Sequence, residues 1–169
     1  MHRRDPPPAL IKFLKPYDRE IRDLALSLRS LVLEEIKPRH ENIYDAYGAV
    51  AIGYGPTDRL RDGICHIAVY SHHVNLGFNR GATLADPLGI LKGTSKWIRH
   101  ITIKTEADLA QPEIRSYLRR ARKLASDDAR QLGETGLALP RESADVISVV
   151  KAVYPKKRRP VRSRGKDVA

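Results

Sequence analysis

Three short segments between Ile64 and Lys104 alternate apolar and polar residues, and this pattern limits most strongly what the chain can fold into. A period of two is typical of β-strands that bury one face. About three residues separate the first two segments, which predicts a hairpin. The residues predicted to share one face within each strand are Cys65, Ile67 and Val69, then Val74, Leu76 and Phe78, and then Trp97, Arg99, Ile101 and Ile103.

Two longer segments show the apolar spacing of amphipathic helices. The first runs from Tyr17 to Lys37, where Asp18 is the predicted N-cap and Pro38 ends the helix. The second runs from Glu106 to Ser126, and Pro112 lies near its start. These elements predict an α+β fold, a two-layer sandwich in which an antiparallel sheet of about four or five strands packs against two main helices.

A chain of 169 residues is the length of one domain. We expect residues 1–16 to be a flexible N-terminal segment, residues 17–154 to be the folded domain, and residues 155–169 to be a disordered basic tail. The apolar segment 143–154 fits a short helix or a buried strand, and Ser143 at its start favours the helix.

The stretch before the predicted sheet is less regular. Residues 41–47 form a polar-aromatic passage, and residues 49–54 are a weak strand. Three tyrosines here either line a pocket or seal the seam between helices and sheet, and we favour the seam. They are Tyr44, Tyr47 and Tyr54.

The single cysteine, Cys65, excludes an intrachain disulfide and favours a reducing compartment. The N-terminus lacks an apolar signal segment, and no apolar run approaches the roughly 18 residues of a membrane span. We therefore predict a cytoplasmic protein that does not contact membranes and is a monomer or homodimer.

One junction between a loop and a strand concentrates glycine, positive charge and a large ring. Backbone N–H groups at its two glycines can converge on an anion, and its cations add charge. We predict that a small anionic ligand or a protein partner binds here. The same stretch also suits a purely structural loop, made rigid by Pro87 and anchored by Leu88 and Leu91. The predicted ligand-binding residues are Asp86, Gly89, Gly93, Lys96, Trp97, Arg99 and His100.

The order of helix, meander, glycine loop, strand and helix resembles the YdhG-like proteins, a family of unknown function, over about residues 17–126. The resemblance implies an α/β sandwich with helices on one face of an antiparallel sheet. One group in that family is described as frataxin-like iron chaperones, which implies an acidic first helix that binds iron through carboxylates. The matching stretches are the helix ending at Pro38, residues 41–48, Val74 to Phe78, Gly81, Asp86 to Gly93, and Arg99 to Ile101.

The iron role is kept only as an alternative, because Arg19, Arg22 and Arg29 interrupt the acidic residues of the first predicted helix. A second alternative is a nucleic-acid-associated protein. The net charge is +11, and in residues 155–169 seven lysines and arginines against one aspartate leave +6. Such an arm binds phosphates without sequence preference, or simply aids solubility. The candidate phosphate-binding residues are Lys156, Lys157, Arg158, Arg159, Arg162 and Arg164.

The remaining chemistry-bearing residues form no standard motif. Cys65, His66, His72, His73 and His100 do not follow the spacing of zinc ligands, although His66 and His72 lie on one hairpin. No nucleophile, base and orienting group can be assembled from neighbouring motifs. We predict a binding module that is not an enzyme and that needs neither metal nor cofactor.

Overall fold

A six-stranded sheet and the helices on one of its faces make up the computed structural model, which describes residues 5–46, 48–142 and 145–153. The helices in these ranges are α1 (Pro8–Leu14), α2 (Arg19–Ile36), α3 (Glu106–Leu109) and α4 (Pro112–Gln131). The strands are β1 (His40–Asp45), β2 (Val50–Gly55), β3 (Cys65–Val69), β4 (Val74–Phe78), β5 (Arg99–Ile103) and β6 (Ile147–Val153).

The strands are arranged in the order β5-β4-β3-β2-β1-β6. Strands β1 to β5 form an antiparallel meander, whereas β6 pairs parallel with β1. The α+β class is confirmed, but the sheet is mixed and has more strands than expected. The predicted helix over residues 143–154 is wrong in its described part, because Ile147–Val153 is β6. β-branched isoleucine and valine fit an extended strand, and β1 offers a ladder to pair with.

One row of aliphatic side chains crosses the sheet beneath the helices. The register pairs Ile43 with Ile52, Ile52 with Ile67, Ile67 with Leu76, and Leu76 with Ile101. All five are buried, and α2 and α4 cover them with apolar residues that include Leu28 and Leu118. The predicted alternation of β3 and β4 is confirmed, since every second residue of each strand enters this core.

The folded part of the chain begins before residue 17, which is the predicted start of the domain. Leu10 and Leu14 of α1 are almost completely buried in the same core as α2. The Tyr17 hydroxyl donates to the Val69 carbonyl over 3.0 Å, which fixes the start of α2 against β3. The structure therefore assigns residues 8–14 to the packed domain and not to a flexible lead-in.

A buried ion pair joins α2 to the sheet. Arg29 Nε and Nη2 donate to the two oxygens of Glu41 over 2.7 and 3.1 Å, and both side chains are at most 2% exposed. Ser148 Oγ of β6 donates to the same carboxylate over 2.7 Å. Glu41 thus connects α2, β1 and β6, which explains why the polar passage predicted over residues 41–47 is instead a central strand.

Tyr44 and Tyr54, two of the three tyrosines expected at the seam, lie on opposite faces of the sheet. Tyr54 is fully buried on the helix side of the sheet, whereas Tyr44 is partly exposed on the opposite side. Tyr47 and the basic tail, which begins at residue 155, lie outside the described residues. In the described part of the chain, no helix combines the length and hydropathy needed to cross a membrane.

Candidate ligand-binding face of the sheet

Asp86, the first residue of the predicted binding loop, is occupied within the fold. Its carboxylate accepts hydrogen bonds from the backbone N–H groups of Ile90 and Leu91 over 3.0 and 3.2 Å, and from the Tyr117 hydroxyl of α4. The Tyr117 bond and the backbone bonds lower the pKa of Asp86 below its ordinary value of 3.8. Asp86 therefore folds the loop onto α4 and is a structural residue.

Asp86→Asn is expected to lower the urea midpoint of unfolding at pH 7, because an amide nitrogen cannot accept the bonds that the second carboxylate oxygen receives. Since the pKa of Asp86 is depressed in the folded state, its contribution is complete above 3.8 and is lost as the pH falls below it. The difference between wild type and variant should therefore shrink between pH 4 and pH 2. Asp127→Asn is the matched control, because Asp127 forms only an exposed pair with Lys123. Equal midpoints for Asp86→Asn and wild type at pH 7 would contradict this role.

The other predicted ligand residues fall into separate environments. Arg99 lies on the helix side opposite Phe78, and its Nη1 donates to the loop carbonyls of Ser95 and Ile98 over 2.6 and 2.8 Å. Lys96 stacks on the exposed ring of Trp97 at 5.1 Å from the centroid. Gly89, with φ +63°, turns the loop beside Asp86.

His100 points to the opposite side of the sheet from Arg99, because consecutive strand residues alternate. Gly93, with φ +118°, lies beside it: a β-carbon built there would be 3.6 Å from His100 Nδ1. The same β-carbon would be 3.8 Å from Arg99 Cδ, so Gly93 lies beside both His100 and Arg99, while Asp86 bonds to the loop and α4 and Lys96 stacks on Trp97.

The face of the sheet turned away from the helices has a different chemistry from the core. We call it the open face. Its residues are mostly partly exposed, in contrast to the fully buried residues behind them. Glycine and alanine residues occupy part of β2, β3 and β4, and the remaining side chains of the face carry imidazole, amide or hydroxyl groups. By register the open face consists of His40, Asn42, Tyr44, Ala51, Gly53, His66, Ala68, Asn75, Gly77, His100 and Thr102.

One row of the open face brings together residues that are far apart in sequence. Asn42 pairs with Gly53, Gly53 with His66, His66 with Gly77, and Gly77 with His100. Adjacent strands lie about 4.8 Å apart, so the backbones of His66 and His100 are separated by roughly 10 Å across Gly77.

The His66 ring lies over Gly77 and is held there. A β-carbon at Gly77 would fall within 2.8 Å of three atoms of this ring, so only glycine leaves the ring its place. His66 Nδ1 is 2.9 Å from Asn79 Oδ1, and because that oxygen only accepts, Nδ1 carries the proton. The result is a flat imidazole, fixed on the sheet and partly exposed to solvent.

The charged groups that lower the pKa values of His73 and His100 are all bases, whereas at the β1 end of the face His40 interacts electrostatically with the carboxylate of Asp58. Burial first, and then the charges of Lys92 and His66, lower the pKa of His100. Lys92 is the neighbour of His100 across a short antiparallel bridge, with backbone bonds of 2.8 and 2.9 Å. His73 immediately precedes β4. Its pKa is lowered by burial and by the charges of Lys104, His100, His72 and Lys92. An anion placed here would relieve this mutual repulsion.

Two open-face amides also keep unpaired polar atoms. Asn42 Oδ1 and Asn75 Oδ1 are buried and have no hydrogen-bond partner within the described ranges. Asn42 as a whole is only 5% exposed. Because most buried polar atoms in proteins are paired, such groups point to a partner that is missing from the isolated chain.

Reasoning from the sequence missed most of this face. It selected His100 but not the residues that the strand register brings to the same face. These include Asn42, His66, Asn75 and Gly77. The sequence signal for this face was Gly77, because a glycine inside a strand has no side chain to pack and often marks the close approach of another group. The residues considered as metal ligands also separate: Cys65 is buried on the helix side, and burial raises the pKa of its thiol. Across the described ranges, no group of three or more His, Cys, Asp or Glu is arranged to hold a metal ion.

Comparisons of the chain with protein-family models, with curated proteins and with solved structures found no match. The resemblance to the YdhG-like proteins therefore remains a prediction from the motifs. Function has to be inferred from the geometry of the open face.

Proposed function

We propose that this chain is a non-enzymatic binding module of the YdhG-like type, whose open face binds an anionic ligand between His66 and His100. The observation that carries the proposal is the composition of that face. The outward residues of the five antiparallel strands include imidazoles, amides and hydroxyls but no carboxylate. Lys92 and Lys104 border it on the β5 side.

Three carboxylates of α2 and β1 are already paired with arginines, which supports the same assignment. Glu41 is used by Arg29 inside the core. Glu34 and Glu35 of α2 pair with Arg115 of α4, and Glu35 also pairs with Arg119. These carboxylates are neutralised by arginines, so the structure adds no support to an iron-binding role for the first helix.

Inorganic pyrophosphate is a suitable probe of the open face. We expect isothermal titration calorimetry to show binding at pH 5.5 that weakens about tenfold by pH 8. The reason is that a bound anion stabilises protonated imidazole, while the depressed pKa of His100 leaves it neutral at higher pH. The groups facing His100 are Lys92 and His66, and both repel its proton.

His100→Gln should remove most of this binding, because glutamine keeps a polar side chain but cannot carry charge. Lys12→Gln is the control, since Lys12 is an exposed cation on α1, among the helices on the other side of the sheet. If pyrophosphate binds His100→Gln and wild type equally, or binds neither at pH 5.5, the proposal fails.

A further inference from the structure

We propose that the natural occupant of the open face is single-stranded nucleic acid, whose bases stack on its rings and whose phosphates bind the cations at its rim. This inference rests on the proposed function, because it names the class of anion that the face binds. Three independent features of the face support it.

The first feature is a stacking platform. The His66 ring lies on the sheet over Gly77 and is held by Asn79. Gly53 and Ala68 are its neighbours on the open face, so no large side chain rises beside it. Flat aromatic and imidazole rings on an open sheet are what exposed bases stack upon. Tyr44, partly exposed two strands away, offers a second ring.

The second feature is the supply of polar groups of the kind that base edges need. Asn42 lies in the same row as His66 and Asn75 lies in the neighbouring row, and each has an oxygen without a partner among the described residues. Asparagine pairs with base edges because it can donate and accept at once. The outward residues of β1 to β5 include no leucine, isoleucine or valine, and the apolar side chains Ile147 and Val149 continue this face only on the edge strand β6.

The third feature is the placement of positive charge. Lys92 and Lys104 lie on the β5 side of the face. In sequence, the seven lysines and arginines of residues 155–169 follow β6, the strand that pairs with β1 on the opposite side of the sheet. A polyanion on the open face meets Lys92 and Lys104 at the β5 edge.

The test uses the full chain and fluorescence anisotropy with a labelled 12-nucleotide strand free of self-complementarity, compared with the same strand in a duplex. We expect the single strand to bind more tightly, because duplex bases already stack on each other and cannot reach the rings. His66→Ala should weaken single-strand binding about fivefold or more, the loss expected for one stacked base. It should leave duplex binding unchanged, and His72→Ala should change neither.

A second variant separates the face from the tail. Replacing Lys156, Lys157, Arg158 and Arg159 together with glutamine should weaken single-strand and duplex binding alike. It should reduce the salt dependence of single-strand binding by about three in the log–log slope, as expected for four lost phosphate contacts. The effect of His66→Ala should persist in this background, because stacking does not depend on the tail.

The outcomes distinguish this inference from the function on which it rests. If His66→Ala binds the single strand as wild type does, nucleic acid contacts the tail alone and the inference is overturned. If no single strand binds while pyrophosphate still binds through His100, the inference fails and the proposed function stands. If neither probe binds, both fail.

Discussion

Glu41→Ala is expected to lower the free energy of unfolding by about 3–5 kcal/mol, the cost of removing one member of a buried ion pair. Arg29, only 2% exposed, would keep its charge in the core. Ser148 would also lose its hydrogen bond to the carboxylate, which should loosen β6. Urea unfolding followed by circular dichroism at pH 7 measures the change.

The double variant Arg29→Met/Glu41→Leu is the control for this pair. Removing both charges together leaves neither member of the pair charged in the core, so much of the lost stability should return. Hydrogen exchange should report faster exchange at the amides of β6 in the single variant. A loss below about 1 kcal/mol in Glu41→Ala, or a double variant as unstable as the single one, would show that the pair does not hold the layers together.

Gly81→Ala is expected to cost about 3 kcal/mol, because its new β-carbon would meet backbone and not a movable side chain. That carbon would lie 2.5 Å from Arg99 Cβ and 2.7 Å from Arg99 N. Strand β5 and the turn after β4 would have to separate, and β5 carries His100. Thermal unfolding should show the loss, and pyrophosphate affinity should fall with it.

Gly136→Ala is the matched control, because a β-carbon at Gly136 would contact no neighbouring atom of the described residues within 4 Å. Its stability should stay close to that of wild type. If Gly81→Ala unfolds at the same temperature as Gly136→Ala, the close approach of β5 to this turn is not a constraint on the fold.

Local pattern was enough to predict the antiparallel strands and the long helix. The alternation in β3 and β4 identifies the buried face, because side chains in a strand switch sides at every residue. The apolar spacing of α2 identifies its buried side in the same way, because residues three and four positions apart lie on one side of a helix. These elements carry their own signal in a few adjacent residues.

Strands β1 and β6 could not be predicted so directly. Glu41 and Asn42 make β1 polar, and their burial is explained only by Arg29 from α2 and by the neighbouring strands. The run of valines in β6 fits helix or strand equally until β1 lies beside it. In both strands, partners distant in sequence decide the structure.

The candidate site shows the same limit. His100 was selected because it lies in a basic loop, yet its neighbours on the open face come from β3 and β4. Conversely, Arg99 and Asp86 look like ligand-binding residues in the sequence and are used by the loop itself. Spacing along the chain does not show which polar groups are already hydrogen-bonded.

The most direct measurement is the pKa of the His100 imidazole, followed by nuclear magnetic resonance with and without pyrophosphate. The account predicts a value below the ordinary 6.5 in the free protein, because burial, Lys92 and His66 disfavour the charged ring. Saturating pyrophosphate should raise the pKa of His100 by about one unit, a tenfold linkage. A His100 pKa that pyrophosphate leaves unchanged would contradict anion binding on the open face.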